Sequence, residues 1–502
     1  MSIVHTPRFF QFRDWPETQL HRFMANLIDT RHKLDDKTVL YMPFEGGEKN
    51  ILDPTERAAL VEQLAQDKEY VNRMEACVIH WTRQVKDLLS SKGHGAISEN
   101  AGPLEEIEYW KNRCADLAGV RKQLESPMVL FIIDMLAHAK SDYVTTFKKQ
   151  ASELKMGSKQ AETNYRFVSV LKESCHHLAE ATPSEIPTMM PKILKTLRMI
   201  WVTSEFYNTV DLITGFLQKL SNEIIKRCCE SINIDKVFQG YVISSRKTLN
   251  TCIDCCTSWE EVYDKTASIH HKFSGLQWNL DRDAVLSQVN GFIQRCKDLL
   301  EVCEAQEVFA RFEDGYQKPM PQFGGRRGLD IVRSLKSVET LFDHSMKILA
   351  VHKRSILDVR STTWHEDFSK FRKVMKDLEI MIQNLLLSIF ETVTTVEQGI
   401  EILDVFMHFE NHESVKRTIE KKTVDVFTLV KTEINAVSQE LSIKGKALTH
   451  QQPKFAGASH RVRALKRRVE KIMTIIDRAF FLPSVGSIAE IRASYRKSLP
   501  WV

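Results

Sequence analysis

The chain has 502 residues, a net charge of +5, 43% hydrophobic residues and 27% charged residues. This composition excludes a disordered chain, and the small net charge gives no reason to expect nucleic acid or membrane binding over the whole surface. With 19 glycines and 14 prolines, the sequence favours a mostly helical protein over a strand-rich fold.

The cysteines and the chain's N-terminal residues indicate a reducing compartment. Ten scattered cysteines are too sparse for a disulfide scaffold and are typical of reduced thiols in the cytosol. The first 15 residues contain Arg8, Arg13 and Asp14 and lack a secretory apolar region, while the longest apolar run, Met128 to Ile133, is too short to span a bilayer. We therefore predict a cytosolic protein with no transmembrane segment.

The first half of the chain reads as successive amphipathic helices. Asp53 and Pro54 predict the start of a helix that runs to about Leu89, followed by a loop over 90–103. A further helix begins at Leu104 and carries a broad apolar face formed by Ile107, Trp110, Cys114, Leu117, Val120 and Leu124. Further helical segments are predicted over 128–180, 190–235 and 245–312, with prolines between the first two at Pro183, Pro187 and Pro191.

The second half contains the sharpest pattern in the sequence. Bulky apolar residues recur at alternating steps of four and three at Trp364, Phe368, Phe371, Met375, Leu378, Ile382, Leu385 and Ile389. A helix with this spacing has one apolar seam that it must bury against another helix, within its own chain or in a partner. A partner pattern follows at Phe427, Val430, Ile434, Val437 and Leu441, and loops are predicted over 319–328 and 442–459. The fold class is predicted to be all-α.

Catalytic and metal-binding patterns are weak throughout. The nearest approach to a phosphate-binding loop, Gly445-Lys446-Ala447, lacks the upstream glycine and the hydroxyl residue. Cys252, Cys255 and Cys256 supply one thiol cluster with His270 and His271 downstream, yet buried helical cysteines explain it better than zinc.

Two further patterns have a plain structural interpretation. His408 and His412 are predicted to lie on one helix face, where solvated surface is the better explanation. Gly324-Gly325-Arg326-Arg327-Gly328 fits either an anion site or an ordinary cationic loop. We predict no catalytic residue, no metal site and no cofactor.

One basic helix, predicted from His460, is the candidate partner-binding site. Its cationic residues are Arg461, Arg463, Lys466, Arg467, Arg468 and Lys471. A narrow apolar stripe is predicted from Val462, Leu465 and Val469. The pattern suits an acidic partner, an anionic membrane or tubulin, but a plain helix with a solvated basic face is a better explanation than any one of these.

Several strings, taken in order, resemble the N-terminal tail of dynein heavy chains, in particular the axonemal ones. Each has an aromatic or Asn-led pattern of that tail, and together they span about residue 72 to about residue 495. The strings are 75–89, 102–127, 164–171, 199–209, 278–312, 364–371 and 453–465.

The resemblance implies an elongated array of helical bundles that acts as a non-catalytic tail in ciliary or flagellar movement. Its implied partners are dynein heavy, intermediate, light-intermediate and light chains, with only indirect contact to microtubules and none to nucleic acid. Its implied location is the cytoplasm, the cytoskeleton and the axoneme. The implied segments are 1–71, 72–318, 319–495 and 496–502.

The absence of motor elements and the basic helix give two further expectations about function. No motor elements precede Val502, so the chain is expected to be a tail fragment, a short isoform or a truncated product that produces no force alone. The alternative function is a motor-unrelated helical scaffold or membrane-surface tether acting through the basic helix at 460–471. An enzyme is the least favoured hypothesis, because no triad or phosphate loop is present.

Overall fold

The computed structural model describes residues 24, 27, 54–91, 100–268, 278, 280–323, 328–351, 353, 355–409, 413–442, 453–479 and 487–498. These residues form seventeen α-helices. Within the described ranges there is no sheet, and the β-type pairing is one isolated bridge between Phe312 and Gln317. The predicted all-α fold class is confirmed.

The described chain divides into two compact units. The first comprises Met1–Glu230 with Asp254–Asn290, and the second comprises Ser231–Ile253 with Gly291–Val502. No helix in the described part of the chain is long and apolar enough to cross a bilayer.

The helices of the first unit are mostly amphipathic and follow one another closely. They are α1 (Pro54–Ala65), α2 (Lys68–Ser91), α3 (Pro103–Leu124), α4 (Pro127–His138), α5 (Tyr143–Ser169), α6 (Lys172–Glu180), α7 (Ile186–Thr203) and α8 (Val210–Ser231). The single helix expected up to Leu89 is wrong, because Asp67 starts α2 by accepting a hydrogen bond from the backbone N–H of Glu69 at 3.0 Å. Pro191, expected between helices, lies inside α7.

In the first unit, helix α3 packs against α5, and α5 also packs against α2. The predicted apolar face of α3 is confirmed at Ile107, Trp110, Leu117, Val120 and Leu124, which are all buried. Cys114, assigned to the same face, is half-buried instead. Glu106 and Arg113, which the apolar pattern left on the outside, are buried.

The second unit contains the remaining helices. They are α9 (Ile234–Phe238), α10 (Val242–Ala267), α11 (Arg282–Phe309), α12 (Gly328–Ala350), α13 (Thr363–Phe390), α14 (Val396–Phe406), α15 (Glu413–Ser442), α16 (Lys454–Arg478) and α17 (Ser487–Ser498). Helices α10 and α11 each supply residues to both units, and a short 3₁₀ helix, Met407–Phe409, follows α14.

The predicted seam lies on α13 and is buried mainly against α12 and α15. Seven of its eight residues are buried, but Leu386 replaces Leu385 near the end of the seam. A straight helix has 3.6 residues per turn, so a strict alternation of four and three drifts off the buried face after several turns. The seam is therefore intramolecular, as in a helical bundle.

Helix α15 meets different neighbours along its length. Phe427, Val430, Ile434 and Val437 are buried as predicted, while the side chain of Leu441 lies outside the described residues. The first half of α15 contacts α13, where Gln383 Nε2 donates to Thr418 Oγ1 at 3.0 Å. The second half contacts α17, where Lys431 and Glu490 pair at 3.0 Å.

Candidate functional site

The patterns considered for metal binding are described only in part. Among the described residues, no group of three or more His, Cys, Asp and Glu side chains is placed to hold a metal ion. Cys252, Cys255 and Cys256 are buried in α10, and Cys252 Sγ lies 3.3 Å from Ser231 Oγ. His270 and His271 lie outside the described residues.

The remaining weak patterns fall largely on residues that are not described. His408 belongs to the 3₁₀ helix Met407–Phe409 after α14, and the face predicted for it and His412 falls on residues that are not described. The side chain of His408, the whole of His412, residues 324–327 and residues 445–447 lie outside the described residues, and Gly328 is the first residue of α12.

The cysteines behave as buried structural residues. None of the ten cysteines forms a disulfide, and eight of them are buried. Burial raises the pKa of Cys77 to about 11 and the pKa of Cys175 and Cys303 to about 12. Since the thiolate is the reactive form, these three thiols are poor nucleophiles at neutral pH.

A buried polar cluster lies in the first unit, and its centre is Glu106. The Glu106 carboxylate is fully buried, pairs with the Lys219 ammonium of α8, and accepts a hydrogen bond from the Tyr207 hydroxyl. Trp110 Nε1 donates to the same hydroxyl at 2.7 Å. The cluster therefore joins α3, α8 and the segment between α7 and α8 by contacts that local sequence patterns do not predict.

The electrostatics of this cluster are those of a structural site. Burial, followed by the neighbouring Glu106 carboxylate, raises the pKa of Tyr207 far above its ordinary range. The phenol is therefore a permanent donor, and the partners of Glu106 include one cationic and one neutral group. Because a buried carboxylate is costly unless it is paired and hydrogen-bonded, each partner is needed to keep Glu106 inside.

The ends of α2 and α3 are fixed by two further buried contacts. The Arg113 guanidinium donates to the carbonyls of Leu88 and Leu89 at 2.6 and 3.0 Å, which satisfies the last turn of α2. At the start of α3, Gly102 lies so close to α8 that a Cβ there would be 2.5 Å from Glu223 Oε2. A residue with a Cβ at this N-cap would therefore require the Glu223 carboxylate to move aside.

The Trp-led string of the second unit has an equivalent role. Trp364, the first residue of the seam, is fully buried and donates from Nε1 to Asp298 Oδ2 of α11 at 2.9 Å. Arg295 Nη2 donates to the carbonyl of Ser361 at 2.6 Å just before α13. These contacts fix the start of α13 on α11.

The candidate basic site lies on α16, which begins at Lys454 and not at His460. The loop predicted up to Ser459 is therefore wrong in its last residues. Pro453 is the N-cap, and the N–H of Gly457 donates to its carbonyl at 2.8 Å, so one glycine is tolerated in the first turn.

The predicted apolar stripe of this helix is partly wrong. Leu465 and Val469 are buried, and the buried face continues through Ile472, Met473 and Ile476. Val462, the third predicted residue, is 48% exposed. The stripe therefore faces the neighbouring helices over a later part of α16 than expected, and the start of the helix has its apolar residues in solvent.

Four of the six predicted cationic residues form ion pairs within the second unit. Arg461 lies 3.8 Å from Glu440, and Arg468 pairs with Glu433, both on α15. Lys471 pairs with Glu397 of α14. Lys466 lies 3.6 Å from Glu470, one turn along its own helix. Three of these pairs hold α16 on its neighbours.

The other two cationic residues, Arg463 and Arg467, face solvent. They are exposed and one helical turn apart, and neither has an ion-pair or hydrogen-bond partner among the residues that the structure describes. The structure thus separates the six residues into a set that packs the bundle and a pair that is available to another molecule.

Comparison with known proteins identifies the family. A model of the family described as dynein heavy chain, N-terminal region 1, matches residues 71–497. The chain belongs to the dynein heavy chain family. The resemblance read from the ordered strings is thereby confirmed.

Individual dynein relatives extend the same match to nearly the whole chain. The dynein-1-beta heavy chain of the flagellar inner arm I1 complex of Chlamydomonas reinhardtii is 37% identical over 99% of this chain and 11% of its own length. Dynein axonemal heavy chain 2 of Mus musculus is 35% identical over 99% of this chain and 9% of its own length. The chain thus spans about a tenth of the length of these relatives.

The location implied by the strings has the same support. More distant relatives include the beta chain of the flagellar outer arm of Chlamydomonas reinhardtii, which is 22% identical over 91% of this chain. These proteins are flagellar or axonemal dyneins, which supports a place in the cytoskeleton and the axoneme.

Proposed function

We propose that this chain is a non-catalytic tail segment of an axonemal dynein heavy chain and that it assembles subunits of the motor complex. The observation that carries the proposal is the family match over 71–497, which lies entirely in an N-terminal region. Within it, the segments 72–318 and 319–495 remain a prediction. The absence of a phosphate-binding motif from the sequence supports a segment without catalysis.

The proposed partners are a second heavy chain and the intermediate, light-intermediate and light chains of a dynein complex, with microtubule contact through them. The buried charges at Glu106, Arg113 and Lys219 are taken up by internal partners, so they serve the fold. The exposed pair Arg463 and Arg467 supports α16 as one partner-binding surface, because unpaired guanidinium groups bind carboxylates in two-pronged geometry.

A reconstitution experiment tests this proposal. The purified chain is mixed with a recombinant axonemal dynein intermediate chain, and the complex is followed by analytical ultracentrifugation. We expect a complex that the double variant Arg463→Glu/Arg467→Glu weakens. The matched control is Lys155→Glu/Lys159→Glu, which places the same charge change at the same spacing on the exposed face of α5. Equal weakening by both variants would remove the assignment to α16.

The second candidate function is membrane tethering through α16, which the same exposed arginines favour. Flotation with vesicles of phosphatidylcholine and phosphatidylserine tests it. Salt-sensitive flotation of the chain, together with no binding to the intermediate chain, would favour the tether. Absence of flotation, with the complex intact, favours the dynein tail.

A further inference from the structure

Two exposed apolar residues lie on one line along α16. Phe455 is 94% exposed and Val462 is 48% exposed, although both belong to a regular helix. They are seven residues apart, which is two turns of helix and about 10.5 Å of rise on nearly the same face. Among the described residues, Phe455 is the most exposed of the large apolar side chains, and the other exposed ones include no phenylalanine.

The two solvent-facing arginines lie to one side of this line, about 100° around the helix from Val462 for Arg463 and about 140° for Arg467. Arg463 follows Val462 directly, and Arg467 lies one turn further along the helix. Both are exposed and without a partner among the described residues, whereas the flanking Arg461, Arg468 and Lys471 are taken up by Glu440, Glu433 and Glu397. We name Phe455, Val462, Arg463 and Arg467 the α16 ridge. It combines an apolar row with a cationic row.

We propose that the α16 ridge binds an amphipathic helix of a partner protein whose polar face is acidic. This inference rests on the proposed function and names the chemistry of a partner at that site. A helix lying along α16 places its own apolar residues, three, four and seven apart, against Phe455 and Val462. Its Asp or Glu side chains then reach the guanidinium groups of Arg463 and Arg467.

The ridge fits a protein helix better than a lipid surface. Electrostatic recognition of anionic lipid takes clusters of about four to eight basic residues. On α16 most of the predicted basic residues are already paired with glutamates of the same unit, so the density of free positive charge is low. Arginine in place of lysine also suits carboxylate pairing.

The test uses two synthetic helical peptides as probes. Both carry the same leucine heptad, and the polar face is glutamate-rich in one and lysine-rich in the other. Binding to the purified 502-residue chain is measured by fluorescence anisotropy. We expect the glutamate peptide to bind and the lysine peptide not to bind. Phe455→Ala is expected to lower the affinity for the glutamate peptide by at least about tenfold, as for a buried aromatic anchor at an interface.

Charge reversal makes the test sharper. Arg463→Glu/Arg467→Glu is expected to abolish binding of the glutamate peptide and to allow binding of the lysine peptide. The control is Met156→Ala, which removes an apolar side chain that is 72% exposed on α5 and leaves the ridge intact. Circular dichroism confirms that each variant retains its helical content.

Three results would contradict binding of an acidic helix by the α16 ridge. They are equal binding of the two peptides, binding of the glutamate peptide that Phe455→Ala leaves unchanged, and flotation on phosphatidylserine vesicles that Phe455→Ala removes. If the intermediate chain still binds while the peptides show no preference, the role of the α16 ridge is wrong and the proposed function stands. If the glutamate peptide binds and no dynein subunit does, the proposed function is wrong and the α16 ridge remains a binding surface for an acidic helix.

Discussion

The hydroxyl of Tyr207 donates a hydrogen bond to the carboxylate of Glu106, although 101 residues separate the two in the chain. Each residue lies in one of the strings that resemble the dynein tail, 102–127 for Glu106 and 199–209 for Tyr207. Two of the strings are thus in direct contact inside the first unit. Their residues maintain the fold on which partner surfaces are carried.

Removing the hydroxyl tests this contact. Tyr207→Phe leaves the buried Glu106 carboxylate and the Trp110 indole N–H each short of a partner, so we expect a loss of about 1–3 kcal/mol in the free energy of unfolding. Urea denaturation measures it. The control, Tyr143→Phe on an exposed tyrosine, is expected to change the free energy by less than about 0.5 kcal/mol. Equal effects would contradict the contact.

Removing only Lys219 from its ion pair with Glu106 is expected to destabilise the protein more than removing both charges. Lys219→Met leaves a buried carboxylate without its cation and should cost about 3–5 kcal/mol. Glu106→Gln/Lys219→Met removes both charges and should recover much of that loss. For comparison, Lys111→Met breaks an exposed pair with Glu108 and should have a far smaller effect on stability. A double variant as unstable as Lys219→Met would contradict the pairing.

Adjacent leucines of α13 test the corrected seam. Leu386 is fully buried and Leu385 is half-buried. Leu386→Ala should therefore cost about 2–5 kcal/mol through lost burial and the cavity left behind. Leu385→Ala should cost only about 1 kcal/mol. The same substitution one residue apart is its own control, and a larger effect at Leu385 would restore the strict alternation.

Alkaline pH is expected to weaken the protein through Cys175. Burial raises the pKa of this thiol to about 12, while in the unfolded chain it titrates near about 8.5. Between these values the folded state binds the extra proton, so the free energy of unfolding falls as pH rises, by about 1.4 kcal/mol per pH unit.

The measurement is the difference in unfolding free energy between the native chain and Cys175→Ala. This difference should be constant below about pH 8 and shrink as pH rises above that value. Cys114→Ala serves as the comparison, because the half-buried thiol of Cys114 should give a weaker pH dependence. A difference that is independent of pH up to about pH 11 would contradict a protonated Cys175.

The sequence predicted those features that depend on local spacing. The alternation over 364–389 gave the helix and seven of its eight buried residues, and the failure at Leu385 follows from the drift of a 3.6-residue repeat. The sequence places the start of α16 too late, because proline and glycine are typical of loops, whereas Pro453 suits a helix start and Gly457 is tolerated in the first turn.

The buried polar contacts were missed for a different reason. Glu106 lies one residue before an apolar position, and charged residues are placed in solvent by any periodicity argument. Its partner Lys219 is 113 residues away, so the local sequence pattern does not predict the pairing. On α16 all six cationic residues look alike in sequence. The acidic residues that take up Arg461, Arg468 and Lys471 belong to other helices.

Retention of dynein subunits by the chain tests the tail assignment most directly. The tagged 502-residue chain is incubated with an extract of ciliated cells, and the retained proteins are identified by mass spectrometry, beside Arg463→Glu/Arg467→Glu and Lys155→Glu/Lys159→Glu. We predict retention of axonemal dynein heavy and intermediate chains, reduced only by the change on α16. A folded chain that retains no dynein subunit would contradict a role in dynein assembly.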